Sequence, residues 1–259
     1  MAIEATYAAR LAVGAMVPLA GATLAQALGR RRAGAWLFGA GFLFAVVAIA
    51  TRWLAVGHVP MGNLLEVFLC MAALCYPLSA FCALRLRVQG RGEDALMAAL
   101  LLVPVAFVFD PTAHPLPPML RSWLFGPHIL AYLAGYVVMF KAGLQSAHVL
   151  AGGGADAERE AGAHRLVRLG FPLLTLGLVL GSIWGKRAWG DYWNWDPKEL
   201  WGLTMWLVYV GYFAWRSQTG GARRRTNAVI LLGGCAVILV TLLWVNLSRL
   251  FAGLHSYAA

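Results

Sequence analysis

Charge is what this chain has least of. Asp, Glu, Lys and Arg make up 12% of its 259 residues, against about 25% in an ordinary soluble domain. Hydrophobic residues supply 61%, and mean hydropathy is +0.69. That balance excludes the soluble globular class, and no stretch between apolar runs is long enough to build a soluble domain of its own. Cysteine is scarce as well. Cys70, Cys75, Cys82 and Cys235 all sit in apolar runs with no CxxC pair among them, which argues against a zinc site or a redox dithiol and leaves them as small buried hydrophobes. A basic leader with a small-residue cleavage site is lacking too: Met1 is followed by Ala2, Ile3 and Glu4, so the first apolar run reads as a retained span.

Acidic residues are outnumbered, 11 against 21 Lys and Arg, for a net charge of +10. An even spread would suggest nucleic acid as partner, but the distribution excludes it. Thirteen of the 21 fall in four clusters: Arg30 to Arg32; Arg85, Arg87 and Arg91; Arg159, Arg165 and Arg168; and Arg216 with Arg223 to Arg225. Each cluster follows every second apolar run, as the positive-inside rule requires of cytoplasmic loops. The partner implied by composition is the lipid bilayer.

A membrane span needs about 20 apolar residues. Eight candidates run over 7–28, 34–56, 64–84, 94–109, 128–150, 168–185, 199–216 and 227–248, the fourth and seventh being short. The expected fold class is therefore all-α: a polytopic membrane helical bundle of about eight transmembrane helices, forming a single integral membrane domain over residues 1–259. With the arginine clusters inside, both termini lie outside. The outer face then carries Gly57–Asn63, the proline-rich loop Asp110–Pro127, and the tail after Asn246, while Ala151–Gly154 with the charged stretch to Arg168 makes an inner loop and Gly220–Arg225 another. His58, His114, His128 and His255 lie on or near that face, and His148 and His164 at the inner one.

Six of the eleven tryptophans crowd into residues 184–206, WGKRAWGDYWNWDPKELWGLTMW, which this topology also places outside. Trp and Tyr do gather at membrane interfaces, and an aromatic belt accounts for one or two. Six in 23 residues, interleaved with Gly and Asp, favour a shelf for a large flat ligand; with histidines nearby, haem comes first. Asp196-Pro197-Lys198-Glu199 is a helix start, with Asp as N-cap, Pro at the first helical position and Glu at N3. The spacing of Trp189, Trp193 and Asp196 allows a short interfacial helix before that cap, with Gly185 and Gly190 breaking regular structure. Tyr192, Trp193 and Trp195 can then stack on a ligand.

The run WGDYWNWDPKELWGLTMWLVY resembles the WWD signature of haem-handling membrane proteins in cytochrome c biogenesis, in the form found in the CcsA (ResC) family. Three more segments follow the same family pattern in order: Gly57-His58-Val59-Pro60-Met61-Gly62-Asn63-Leu64-Leu65-Glu66, His128 at the opening of a span, and Gly253-Leu254-His255-Ser256-Tyr257. The resemblance implies a multi-pass protein of the cell (cytoplasmic) membrane that holds haem b, in transit and non-covalently, on the outer face for attachment to apocytochrome c at its CxxCH motif. It implies a CcsB (ResB)-like membrane partner, of which this chain contains no fused copy. It also implies that His128 and His255 are the axial ligands of the iron and that the WWD segment, with Trp184, Trp189, Trp193, Trp195, Asp196 and Trp201, supports the porphyrin.

One departure from the family stands out. Where relatives carry a histidine near the end of the span after the WWD run, this chain has Ala214 within Tyr212-Phe213-Ala214-Trp215-Arg216, which puts a second, intramembrane haem position in doubt. His58 either binds haem transiently or hydrogen-bonds within its own turn. Glu66, an ionisable group inside an apolar run, needs a partner: Arg52, Arg249 or a functional group. Lys141 either snorkels toward headgroups or offers charge to Glu66 or a propionate, and Lys186, Arg187 and Lys198 are candidate propionate partners. No residue has the setting of a general acid, base or nucleophile, so no catalytic residue is assigned and enzymatic status stays open. The competing classes are a b-type redox membrane subunit, which needs paired histidines in mid-membrane, and a haem-free scaffold or regulator.

Overall fold

The computed structural model describes residues 2–112, 115–152 and 156–244. His114, Arg249 and the GLHSY ending with His255 lie outside the described residues. Regular structure among the described residues is helical throughout: α1 (Ala2–Ala27), α2 (Arg31–Val56), α3 (Leu64–Arg85), α4 (Arg91–Phe107), α5 (Phe125–Ala151), α6 (Asp156–Trp189), α7 (Pro197–Thr219) and α8 (Arg224–Leu239). Each apolar run of the sequence has become one helix. Six of them are long and apolar enough to cross a membrane, so the chain is a multi-pass membrane protein. The six leave out α4, which has 17 residues, and α7, whose Trp and Tyr lower its hydropathy.

Two expectations need correction. The charged stretch before Arg168 is not a loop but the first turns of α6, which runs for 34 residues; Ala, Glu and Arg are strong helix formers. No separate interfacial helix forms in the tryptophan run either. α6 continues through Gly185 to Trp189, because one glycine inside a well-packed helix costs only about 1 kcal/mol, and residues 190–196 are irregular.

The chain divides into two compact units, Met1–Arg121 and Ser122–Ala259. In the first, α1 packs against α2 and α4, and α3 against α2 and α4. Ala8, Ala12, Ala15, Leu19 and Ala22 are buried along α1; their spacing of four and three makes one narrow face, and small residues there let helix backbones approach. The contact is close enough that a Cβ on Gly41 of α2 would fall 2.6 Å from Leu19 Cγ.

Polar groups fix the other end of this unit. Arg52, near the end of α2, donates from Nε to Glu66 Oε1 at 2.9 Å, with both side chains buried at 0% and 1% exposure. Its remaining nitrogens donate to the carbonyls of Pro111 and Thr112. Glu66 Oε2 accepts from the Gly62 N–H at 2.8 Å, while the Glu66 N–H bonds to Asn63 Oδ1, the N-cap of α3. Among the described residues the partner Glu66 takes is Arg52. His58 hydrogen-bonds within its own turn, with Nδ1 2.9 Å from the Val59 carbonyl.

In the second unit α5 and α6 run antiparallel in a regular register. His128 lies against Gly181, Tyr132 against Gly177, Gly135 against Leu174, and Met139 against Gly170. One member of each pair is glycine, so the two backbones can come together. α8 packs on α5 and α7, and Gly234 makes room for the ring of Tyr209. At the end where α6 begins, Glu160 takes two bonds from Arg216 of α7, at 2.8 and 3.0 Å, and one from Asn227 Nδ2 of α8 at 2.8 Å. Lys141 is buried within α5, so it does not snorkel.

Removing one member of a buried ion pair strands the other charge. Arg52→Ala should therefore destabilise the protein by about 3–5 kcal/mol, read as a lowered thermal midpoint in detergent. Replacing both partners, Arg52→Met with Glu66→Leu, should recover most of that loss.

Candidate functional site

His128 stands in the first turn of α5 and is 9% exposed. Its imidazole is held on three sides. Nδ1 lies 2.8 Å from the Gly177 carbonyl of α6, and because a carbonyl only accepts, Nδ1 must carry the proton. The ring stacks on the indole of Trp184, with centroids 5.8 Å apart and an interplanar angle of 22°, and meets Tyr132 edge-on at 5.3 Å. The third restraint is an absence of side chain. A Cβ on Gly181 would come within 2.5 Å of His128 Cε1, so only glycine at 181 admits the ring. With Nδ1–H committed to a carbonyl, the lone pair resides on Nε2, the tautomer in which histidine ligates metals.

From Trp184 the aromatic surface continues along α6. Trp184 is buried between Phe125 and Trp189, the latter edge-on at 4.7 Å. Gly190 then takes φ +92 and ends the helix. The irregular segment folds back against α6 through Ser182 Oγ, which donates to the Tyr192 carbonyl at 2.9 Å, and through Lys186 Nζ, which donates to the Gly190 carbonyl. Lys186 also lies over the Tyr192 ring, and Arg187 over Trp123, each at 5.5 Å. Exposed aromatic faces result at Tyr192, Trp195 and Trp123.

The helix start forms as the sequence requires. Asp196 caps α7, with Oδ1 accepting from the Lys198 N–H at 2.9 Å, and Glu199 returns a bond to the cap N–H. Glu199 does more than the sequence suggests: its Oε2 also accepts from the Asn194 N–H at 2.7 Å. Trp193 and Trp195 meet edge-on at 5.9 Å. The indole N–H of Trp193 and the side-chain Nδ2 of Asn194 are buried donors with no acceptor among the described residues. Trp201 stands half-buried in the first turn of α7. Positive potential from the helix start and two unmatched donors suit an anionic or carbonyl acceptor brought from outside the chain.

The second unit thus brings together His128, Trp184 and Trp189, and joins them through one short segment to Trp193, Trp195, Asp196 and Trp201. His58 and Glu66 belong to the first unit, where both oxygens of Glu66 are occupied. His255 lies outside the described residues. Sequence reasoning missed Gly177 and Gly181, which orient and admit the imidazole; their spacing of four on an apolar helix, continued at Gly185, was the available signal. Among the described residues no three His, Cys, Asp or Glu side chains gather as a metal cage.

Residues 33–252 match the family model described as Cytochrome C assembly protein, a range that takes in the tryptophan run and His128. The chain is 31% identical over 253 residues to the cytochrome c biogenesis protein CcsA of Prochlorococcus marinus (strain MIT 9303), covering 81% of this chain and 79% of that one. It is 32% identical over 240 residues to CcsA of Chlamydomonas reinhardtii, covering 85% and 67%. Among solved structures, Cytochrome c Heme Lyase CcmF superposes with a TM-score of 0.69 at 20% identity. That match covers 93% of this chain but 46% of the other, and it speaks for the fold alone. An all-helical membrane architecture, a tryptophan run built onto the end of α6 and the start of α7, and these relatives over most of its length agree: the chain belongs to the cytochrome c assembly proteins, in the CcsA family.

Proposed function

We propose that this cytochrome c biogenesis protein holds haem b at the outer face of the cell membrane and presents it to apocytochrome c, working beside a CcsB-like membrane partner. The observation that carries the reading is the seating of His128. A buried imidazole whose Nδ1–H is spent on a backbone carbonyl, and which is stacked on the first indole of the tryptophan run, is oriented as a metal ligand is. A histidine serving only to fill space has no need of that arrangement.

The residues fit the group. His128, joined by His255 from the tail, would ligate the iron through neutral imidazole. The exposed rings of Tyr192 and Trp195 offer flat apolar surface. Lys186, Arg187 and the N–H donors of Trp193 and Asn194 offer partners for propionates. Haem supplies the iron and the vinyl groups to which the thiols of a CxxCH segment are joined. The chain's own contribution is positional: two imidazoles and an aromatic ledge fix one reactant so that the second meets it in a set geometry. The positive-inside rule supports the orientation: with the arginine clusters on the cytoplasmic side, both termini and this site would lie outside.

The test is the absorption spectrum of protein purified from haem-replete cells. A six-coordinate b-type spectrum is expected, and His128→Ala or His255→Ala should weaken it or shift it to high spin. Gly181→Ala, which drives a methyl group into the imidazole, should reduce bound haem by about tenfold or more, as misplacing a ligand does elsewhere. Parent-like spectra in all three variants would remove the ligand assignment. Orientation is checked separately: a reporter fused after Ala259 should be active outside the cytoplasm and silent within it.

A further inference from the structure

Trp195 is the most costly residue of the tryptophan run to keep as it is. Its φ is +57, the left-handed region that a bulky side chain almost never enters. The fold places glycine at Gly29, Gly57, Gly90, Gly152, Gly190 and Gly220, and among the described residues only Arg87 shares the exception. Packing does not repay the cost, because the Trp195 side chain is 67% exposed. Among the described residues its ring meets Trp193 edge-on, at 5.9 Å and 87°. Strain of this kind persists only where surrounding bonds over-determine the backbone. Here the determinant is visible. A single oxygen, Glu199 Oε2, accepts from the Asn194 N–H at 2.7 Å and from the Asp196 N–H at 3.2 Å, the two amides that flank Trp195.

We infer that Glu199 is a positioning residue: its one oxygen bridges the amides of Asn194 and Asp196, locks Trp195 in the left-handed conformation, and presents the indole outward as a fixed contact for the porphyrin plane. The inference rests on the function proposed above for the identity of that ligand. An ordinary capping glutamate satisfies the cap N–H alone; the second bond, two residues earlier, turns a cap into a clamp. Trp195 would then meet a ligand already ordered, with no rotation of the chain left to restrict on binding.

Three variants decide it. Because both bonds end on one oxygen, Glu199→Gln can make both, whereas Glu199→Ala can make neither. Trp195→Gly removes the indole and relieves the strain together. Amide hydrogen exchange at Asn194 and Asp196, and the thermal midpoint in detergent, read the clamp without reference to haem. Haem content per protein after purification reads the contact. Glu199→Gln should keep both amides protected and load haem like the parent. Glu199→Ala should lose both protections, and its haem content should fall by about tenfold, the scale seen when a ligand-orienting partner is removed. Trp195→Gly should melt at or above the parent's midpoint yet load as poorly as Glu199→Ala. Parent-like loading in Trp195→Gly would overturn the contact. A Glu199→Gln protein that behaves like Glu199→Ala would overturn the clamp, since charge and not an acceptor oxygen would then be what matters. A parent protein without haem would sink the function proposed above and with it the ligand assigned to Trp195, while the exchange data would still decide whether Glu199 bridges the two amides.

Discussion

The seat of His128 depends on how closely α5 approaches α6. Lipid tails are as apolar as the side chains they would replace, so burial alone gives membrane helices little reason to pair; contact between backbones and interhelical hydrogen bonds supply it. Glycine at 135, 170, 177 and 181 removes the bulk that would hold the two helices apart. At the two lowest-lying consequences of that register, a carbonyl becomes reachable and a ring-sized gap opens. Trp184 then has a face to stack on, and the tryptophan run starts from a fixed point.

Where apolar packing cannot choose among neighbours, buried polar groups do. Each unit carries one such tie across three segments. Arg52 and Glu66 join the end of α2, the start of α3 and residues 111–112. Glu160, Arg216 and Asn227 join α6, α7 and α8. Neither tie need add net stability over a well-packed apolar core; what it adds is register, because its donors are satisfied only where those acceptors stand. The second tie lies at the end of its unit opposite the tryptophan run; at that run α6 holds the linking segment through Ser182 and Lys186, and α7 holds it through Glu199.

Much of this was legible in the residues. Hydropathy marked eight helices, and composition singled out the tryptophan run. Asp196-Pro197-Lys198-Glu199 announced its own helix start, because capping is local chemistry carried by adjacent side chains. What was not legible depended on distant partners. Nothing near Glu66 distinguishes Arg52 from Arg249 as its mate, and helix period alone does not say that Gly177 and Gly181 face His128. The charged opening of α6 reads as a loop because its polarity is that of an exposed segment, yet Glu160 and His164 within it turn toward Arg216 and Tyr212. The irregular backbone of 190–196 was hidden for the same reason: the spacing of Trp189, Trp193 and Asp196 suits a helical turn, but a carboxylate from the next helix holds those amides in another shape.

The glycine gap at 181 also limits what the His128 ring can do. Turning it over would exchange Nδ1 with Cδ2 and Nε2 with Cε1, bring a C–H in place of the N–H against the Gly177 carbonyl, and sweep the ring through space that α6 and Trp184 already fill. The imidazole is therefore directional, with Nδ1 fixed on the Gly177 carbonyl. A guest gripped by such a group has its two sides made inequivalent by the host, and on the function proposed here an incoming polypeptide would always find the same side turned toward it.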